Sequence, residues 1–200
     1  MKGVFIMQNG RRESKLNTLV LTAMMMCLIL VSTYFFKIPT IATKGYVHLG
    51  DAAIFLAVML LGKKNGAIAA GIGSCLSDLI GGYAYYAPWT LGTKFLMALV
   101  AGLFLDHAAK KYAGKEKHRH TLSAFEIFGM IVGGFVMVAG YALAAKVMYG
   151  SWAVALASVP ENIGQFSVGI IISIVIATAL QHTPVRQYFT STSMCVKSAN

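Results

Sequence analysis

Six apolar runs separated by short polar segments constrain this chain more than anything else in it. They are Leu16–Phe36, Val47–Leu61, Gly66–Ile80, Trp89–Leu105, Ala124–Met148 and Ile163–Leu180. An upright helix needs about 20 apolar residues to cross the hydrocarbon core of a bilayer. The second and third runs hold only roughly 15 each, so protein or a thinned bilayer must shield their ends. Only 12% of the residues are charged and 57% are hydrophobic, about half the charge of an ordinary soluble domain. The sequence therefore predicts an all-α integral membrane protein with six transmembrane helices. The expected organisation is a basic segment at 1–15, a membrane domain at 16–181 and a polar tail at 182–200.

The charged residues set the orientation. A formal charge of +10 would suit a nucleic-acid-binding surface, but the cations fall in short segments between apolar runs, where membrane topology places them. With the N-terminus inside, only Lys37, Lys44 and Lys146 of the 17 Lys and Arg residues fall outside, and Lys94 lies within a span. Both termini are thus expected on the cytoplasmic side. The first run lacks a small-residue cleavage pattern and is expected to be retained.

The three outer loops are then Lys37–Tyr46, Gly81–Pro88 and Tyr149–Asn162. They carry an excess of aromatic and polar groups at or near their ends, Tyr46, His48, Tyr83, Tyr85, Tyr86, Trp89 and Trp152 among them. An interfacial aromatic belt would be two-sided, so the asymmetry favours an outward-facing pocket. Ionisable residues within spans are costly and by default mark sites; Asp78 and Lys94 both lie within expected spans, towards the same side. Thr90 and Lys94 share a helix face, with Trp89 beside them. Asn162 and Gln165 share another at the outer end of the last run. His48 and Asp51 lie at the mouth of the second. The candidate substrate-binding set is His48, Asp51, Tyr85, Trp89, Thr90, Lys94, Asn162 and Gln165. Two alternatives stand beside it: Lys94 neutralising Asp78, and Asn162 capping a helix after Pro160.

Small residues four apart predict close helix packing: Gly66, Ala70 and Ser74, then Ala69, Gly73 and Ser77, with Gly129 and Gly133 and with Gly169, Ser173 and Ala177 further on. Ala23 and Cys27 repeat the spacing in a Met-rich stretch of the first run, which suits either internal packing or an adaptable surface for another membrane protein. Cys27, Cys75 and Cys195 form neither a paired framework nor a Cys-x-x-Cys motif, so no disulfide, metal site or cofactor is expected. The chain has no Gly-x-x-x-x-Gly-Lys-Ser/Thr loop, no His-Glu-x-x-His and no Gly-x-Ser-x-Gly, so ATPase, metalloprotease and esterase chemistry lack their motifs.

Three segments carry a family resemblance: Gly45-Tyr46-Val47-His48-Leu49-Gly50-Asp51, Leu61-Gly62-Lys63-Lys64-Asn65-Gly66, and Gly81-Gly82-Tyr83-Ala84-Tyr85-Tyr86-Ala87-Pro88 with Lys94. Together they resemble the S components of energy-coupling factor (ECF) vitamin transporters, most nearly the hydroxymethylpyrimidine or pyridoxine branch, from about Leu16 to Leu180. The resemblance implies a six-helix subunit of the bacterial plasma membrane that binds a vitamin from outside. It further implies a transmembrane T subunit and two cytoplasmic ATP-binding subunits as partners, with no nucleic acid and no enzymatic activity of its own. The family's Ala-x-x-x-Ala coupling motif corresponds here to Ala23-x-x-x-Cys27, its outer lid to Lys37–Tyr46, and a frequent substrate-binding position to Asn162. Riboflavin, thiamine and other vitamins remain alternative substrates. The rival function is a self-sufficient secondary transporter, which needs an ionisable relay through the full membrane, whereas the polar groups here cluster in one half.

Overall fold

The computed structural model describes residues 2–39, 46–112 and 121–189. Its elements run α1 (Lys2–Phe35), β1 (Lys37–Pro39), β2 (Tyr46–His48), α2 (Gly50–Ile80), α3 (Ala87–Tyr112), α4 (Ala124–Tyr149) and α5 (Trp152–Leu180), ending in a 3-10 helix at Pro184–Tyr188. Each α-helix contains a stretch long and apolar enough to cross a membrane. The outer surface keeps large apolar side chains exposed, including Val147, Leu156, Ile171 and Val175, a surface that hydrocarbon rather than water solvates.

The break at Gly62 shapes the bundle. Its φ of 75° and ψ of 177° interrupt α2, a conformation that L side chains rarely adopt. A Cβ added to Gly66 would lie 2.8 Å from the Cα of Val58. Eight residues of unbroken helix would separate those positions by about 12 Å, so the chain folds back on itself. Gly50 and Gly73 confirm the reversal. The first packs against Thr33 and the second against Met26 and Ile29, positions within one to two turns of each other on α1. The two arms of α2 correspond to the second and third expected runs, and the expected basic turn narrows to Gly62, with Lys63 already helical. On α3, Asp106 accepts a 3.3 Å ion pair from Lys63 beside this turn.

Every residue from Gly50 to Met59 is buried. This is the protein shielding that the short second run requires. α2 packs against α1, α3 and α5, while α4 bridges α3 and α5. The small residues of the second arm, Gly66, Ala69, Ala70, Gly73, Ser74 and Ser77, are buried as their spacing predicts. On α1 the buried face is Thr22, Met25, Ile29 and Thr33, and Ala23 and Cys27 lie exposed on the other side.

The fold is helical as expected; beside the helices, β1 and β2 pair antiparallel, with Lys37 opposite His48 and Pro39 opposite Tyr46. The ends of the expected lid Lys37–Tyr46 form this ribbon, while its residues 40–45 lie outside the described residues, as do residues 113–120 of the basic loop and 190–200 of the tail. The last helix starts at Trp152 rather than near Ile163 and passes through Pro160. Proline removes a backbone donor there; around it, the Ser158 hydroxyl donates to the Ala155 carbonyl at 2.7 Å and the Asn162 amide to the Ser158 carbonyl at 2.8 Å. The alternative pairing of Lys94 with Asp78 is taken up below. α4 is bounded by a capping box of Ser123 and Glu126 and by Gly150 in the left-handed conformation.

Candidate functional site

At the end of the bundle opposite Gly62, four elements bring polar side chains into one buried cluster. Asp51 sits in the first turn of α2, Lys94 two turns into α3, Gln165 midway along α5, and His48 at the end of β2. The Lys94 ammonium donates to Asp51 Oδ1 at 2.5 Å, with both side chains fully buried. Gln165 Nε2 donates to Asp51 Oδ2 at 2.9 Å, and the His48 backbone N–H donates to Gln165 Oε1 at 3.1 Å. His48 Nδ1 accepts from the Gly50 N–H at 2.9 Å. Gly169, one turn beyond Gln165, presses its backbone on Asp51: a Cβ there would lie 2.8 Å from the Asp51 Cβ.

Lys94 thus pairs with Asp51, which sets aside the alternative pairing with Asp78. Helix geometry explains the exchange. The arms of α2 run antiparallel, so Asp51 and Asp78 lie towards the same end of the bundle, and the Lys94 face of α3 reaches the first arm. Asp78, also buried, acts on Lys37, whose ammonium lies over the rings of Tyr34 (4.9 Å) and Tyr83 (5.2 Å). Burial pushes the Lys37 ammonium below the usual lysine range, and the Asp78 charge opposes that shift. Burial likewise lowers His48 to about 3, helped by the nearby Lys94 charge and opposed by Asp51. The imidazole is therefore neutral at physiological pH, with its accepting nitrogen used by Gly50.

A polar seam between α3 and α4 continues the cluster. Lys94 Nζ lies 2.8 Å from Met137 Sδ and 5.4 Å from the ring centre of Tyr141. One turn nearer the start of α3, the Tyr141 hydroxyl donates to Thr90 Oγ1 at 3.2 Å. A further turn on, the Tyr86 and Tyr149 hydroxyls meet at 3.4 Å. The face Tyr86–Thr90–Lys94 is the i, i+4 column that the sequence predicts for Thr90 and Lys94, extended by one residue.

Of the eight expected site residues, His48, Asp51, Lys94 and Gln165 form the cluster and Thr90 borders it. Trp89 is half-buried beside Thr90. Tyr85 is exposed and packs on Tyr86 at 5.0 Å between ring centres. Asn162 bonds to its own helix, not to the cluster. The sequence reading missed Met137 and Tyr141, which share a face of α4 by their four-residue spacing but sit in an otherwise apolar run. Among the described residues, no group of three His, Cys, Asp or Glu side chains is placed to hold a metal.

Five helices of spanning length, one folded back on itself, enclosing ionisable groups at one end, define a multi-pass helical membrane protein with a buried polar site. Comparison with known proteins takes this class to a family. Residues 13–182 match the family described as ECF-type riboflavin transporter, S component, and the chain belongs to that family. A Pyrococcus woesei protein described as an uncharacterized protein in gap 3'region is 36% identical over 142 residues, covering 71% of this chain and 86% of its own. The thiamine precursor transporter HmpT of Lactococcus lactis is 27% identical over 178 residues, covering 88% and 95%. Among solved structures, the S component for biotin from an ECF-type ABC transporter aligns with a TM-score of 0.67 at 20% identity, over 88% of this chain and 97% of that one. An S component of a bacterial ECF transporter aligns at 0.61 and 20%, over 83% and 96%. At that identity the likeness shows the shared fold.

Proposed function

We propose that this chain captures a B-type vitamin or its heterocyclic precursor from outside the plasma membrane, with hydroxymethylpyrimidine, a thiamine precursor, as the favoured ligand and pyridoxine next. The observation that carries this is the buried cluster of Lys94, Asp51 and Gln165, bordered by Thr90 and Tyr141. It offers directed donors and acceptors at one end of an otherwise apolar bundle, as recognition of a small polar heterocycle requires. The relation to HmpT supports the thiamine precursor. Riboflavin is the second reading, supported by the family's description.

In this reading the arms of α2 cross the membrane separately, giving six crossings with both termini inside. The cluster then faces outward and the Lys63–Asp106 pair inward. The chain acts with a transmembrane T subunit and two cytoplasmic ATP-binding subunits, which supply the energy. The exposed small positions Ala23 and Cys27 on α1 form the coupling face.

Calorimetry on the purified protein in nanodiscs tests the ligand. Hydroxymethylpyrimidine should bind tightly, with Gln165→Ala weakening it about tenfold to a hundredfold, because a lost hydrogen bond leaves a buried partner unsatisfied at about 1–3 kcal/mol. Failure to bind hydroxymethylpyrimidine, pyridoxine or riboflavin would remove the proposal.

A further inference from the structure

Among the described residues, the charges in and beside the buried cluster balance, and that balance bears on what the site can hold. Lys94 and Asp51 form one pair, with both side chains fully buried. Transfer of a proton between them would leave their sum at zero. The neighbouring elements add Lys37 and Asp78, which act on each other electrostatically. Neutral groups complete the surroundings: Gln165, Thr90, Tyr141 and Met137. His48 contributes no charge either, since burial holds its imidazole neutral at any pH well above 3.

We infer that the site selects ligands of zero net charge and rejects the phosphorylated or cationic form of the same heterocycle. The inference rests on the binding reading above and deepens it. A charge brought into a buried site without a counter-charge loses its hydration and gains no partner in return. Within the cluster formed by the described residues, an anion could gain one only by taking Lys94 from Asp51. The carboxylate would then keep Gln165 alone, and it has nowhere to withdraw, because the Gly169 backbone lies against its Cβ. A cation meets the mirror problem, since the only way to win Asp51 is to displace a fully buried ammonium. A neutral ring with its own donors and acceptors can join the cluster without breaking the pair.

The test uses neutral and charged members of two matched sets: hydroxymethylpyrimidine with its phosphate monoester and its N-methylpyrimidinium cation, and riboflavin with its 5′-phosphate. Binding is measured to the full chain in nanodiscs. Whichever neutral compound binds should do so at least about 100-fold more tightly than its charged forms, equivalent to roughly 2.8 kcal/mol. Asp51→Asn, which leaves one positive charge in surplus, should shift the preference at least tenfold towards the phosphate. Lys94→Gln should shift it towards the cation. The double variant Asp51→Asn/Lys94→Gln keeps the site neutral and should recover the neutral preference, even where a single variant folds poorly. A phosphate binding within a few-fold of its parent alcohol, or preferences that ignore the charge of the variants, would overturn the inference while leaving the binding reading standing. If no neutral compound bound, the binding reading itself would fall, and the inference with it.

Discussion

Replacing Lys94 by methionine removes the ammonium but keeps much of the volume of its aliphatic stem, so the change isolates the charge. Asp51 would then be a fully buried carboxylate held by one hydrogen bond from Gln165 and pressed by Gly169. Breaking a buried ion pair by deleting one partner costs about 3–5 kcal/mol, most of it the uncompensated charge left behind. For a chain of this length each kcal/mol moves the melting temperature by about 2–4 °C, so Lys94→Met should lower it by roughly 6–20 °C. The assay is thermal unfolding of the ligand-free protein in detergent, followed by intrinsic tryptophan fluorescence. Adding Asp51→Asn removes the stranded charge while keeping an acceptor for Gln165, and should restore most of the loss. Adding Asp78→Asn instead should restore little. A loss below about 2 °C, or rescue by the change at Asp78 and not at Asp51, would refute the assigned pairing.

Three further outcomes follow from the same geometry. His48 titrates near 6.5 in the unfolded chain and about 3 when folded, so below pH 6.5 the unfolded state binds the extra proton. The stability that His48 contributes should therefore fall as the pH drops below 6.5, and His48→Gln should flatten that part of the profile in pH-dependent unfolding. Asn162→Ala should leave ligand affinity within about threefold of the parent in calorimetry, well short of the tenfold loss expected for Gln165→Ala, because its amide bonds to its own helix. Ala23→Trp should abolish uptake by vesicles containing the T and ATP-binding subunits while leaving binding to the isolated chain intact. Normal uptake would place the coupling face elsewhere.

Local spacing made part of this site legible in the sequence. Thr90 and Lys94 fall four apart on one helix, and His48 and Asp51 stand together at the mouth of a span, so short-range geometry alone puts them near the right place. The partner of Lys94 was not legible. Asp51 is 43 residues away and Gln165 lies 114 residues from Asp51, separations that only the packing of α2 against α3 and α5 resolves. Asp78 and Asp51 both lie in apolar runs, so spacing along the chain alone does not choose between them as partners for Lys94. Whether two acids share one end of the bundle depends on the reversal at Gly62, and the Gly62-Lys63-Lys64-Asn65 segment does mark that reversal. The start of α5 was misread because Pro160 and Asn162 look like a helix entry. The helix nonetheless runs through the proline, with the Ser158 hydroxyl and the Asn162 amide bonded to carbonyls of their own helix. The Ser-x-x-Glu spacing of Ser123 and Glu126 is the local signal that sets the start of α4.

The position of Asp51 also governs the order in which this protein can be made. Its carboxylate emerges early, in a helix arm of only about 18 Å by its rise per residue, well short of the ~30 Å hydrocarbon core. The ammonium that neutralises it follows with α3, and the amide that holds its second oxygen comes only with α5, the last long helix. Until that helix arrives, the nascent first arm of α2 carries a polar group that lipid cannot satisfy. It is best sheltered by staying with its own second arm as a hairpin. Completion of the bundle is thereby coupled to completion of the polar cluster: a chain that has not docked its final helix has an acid incompletely held.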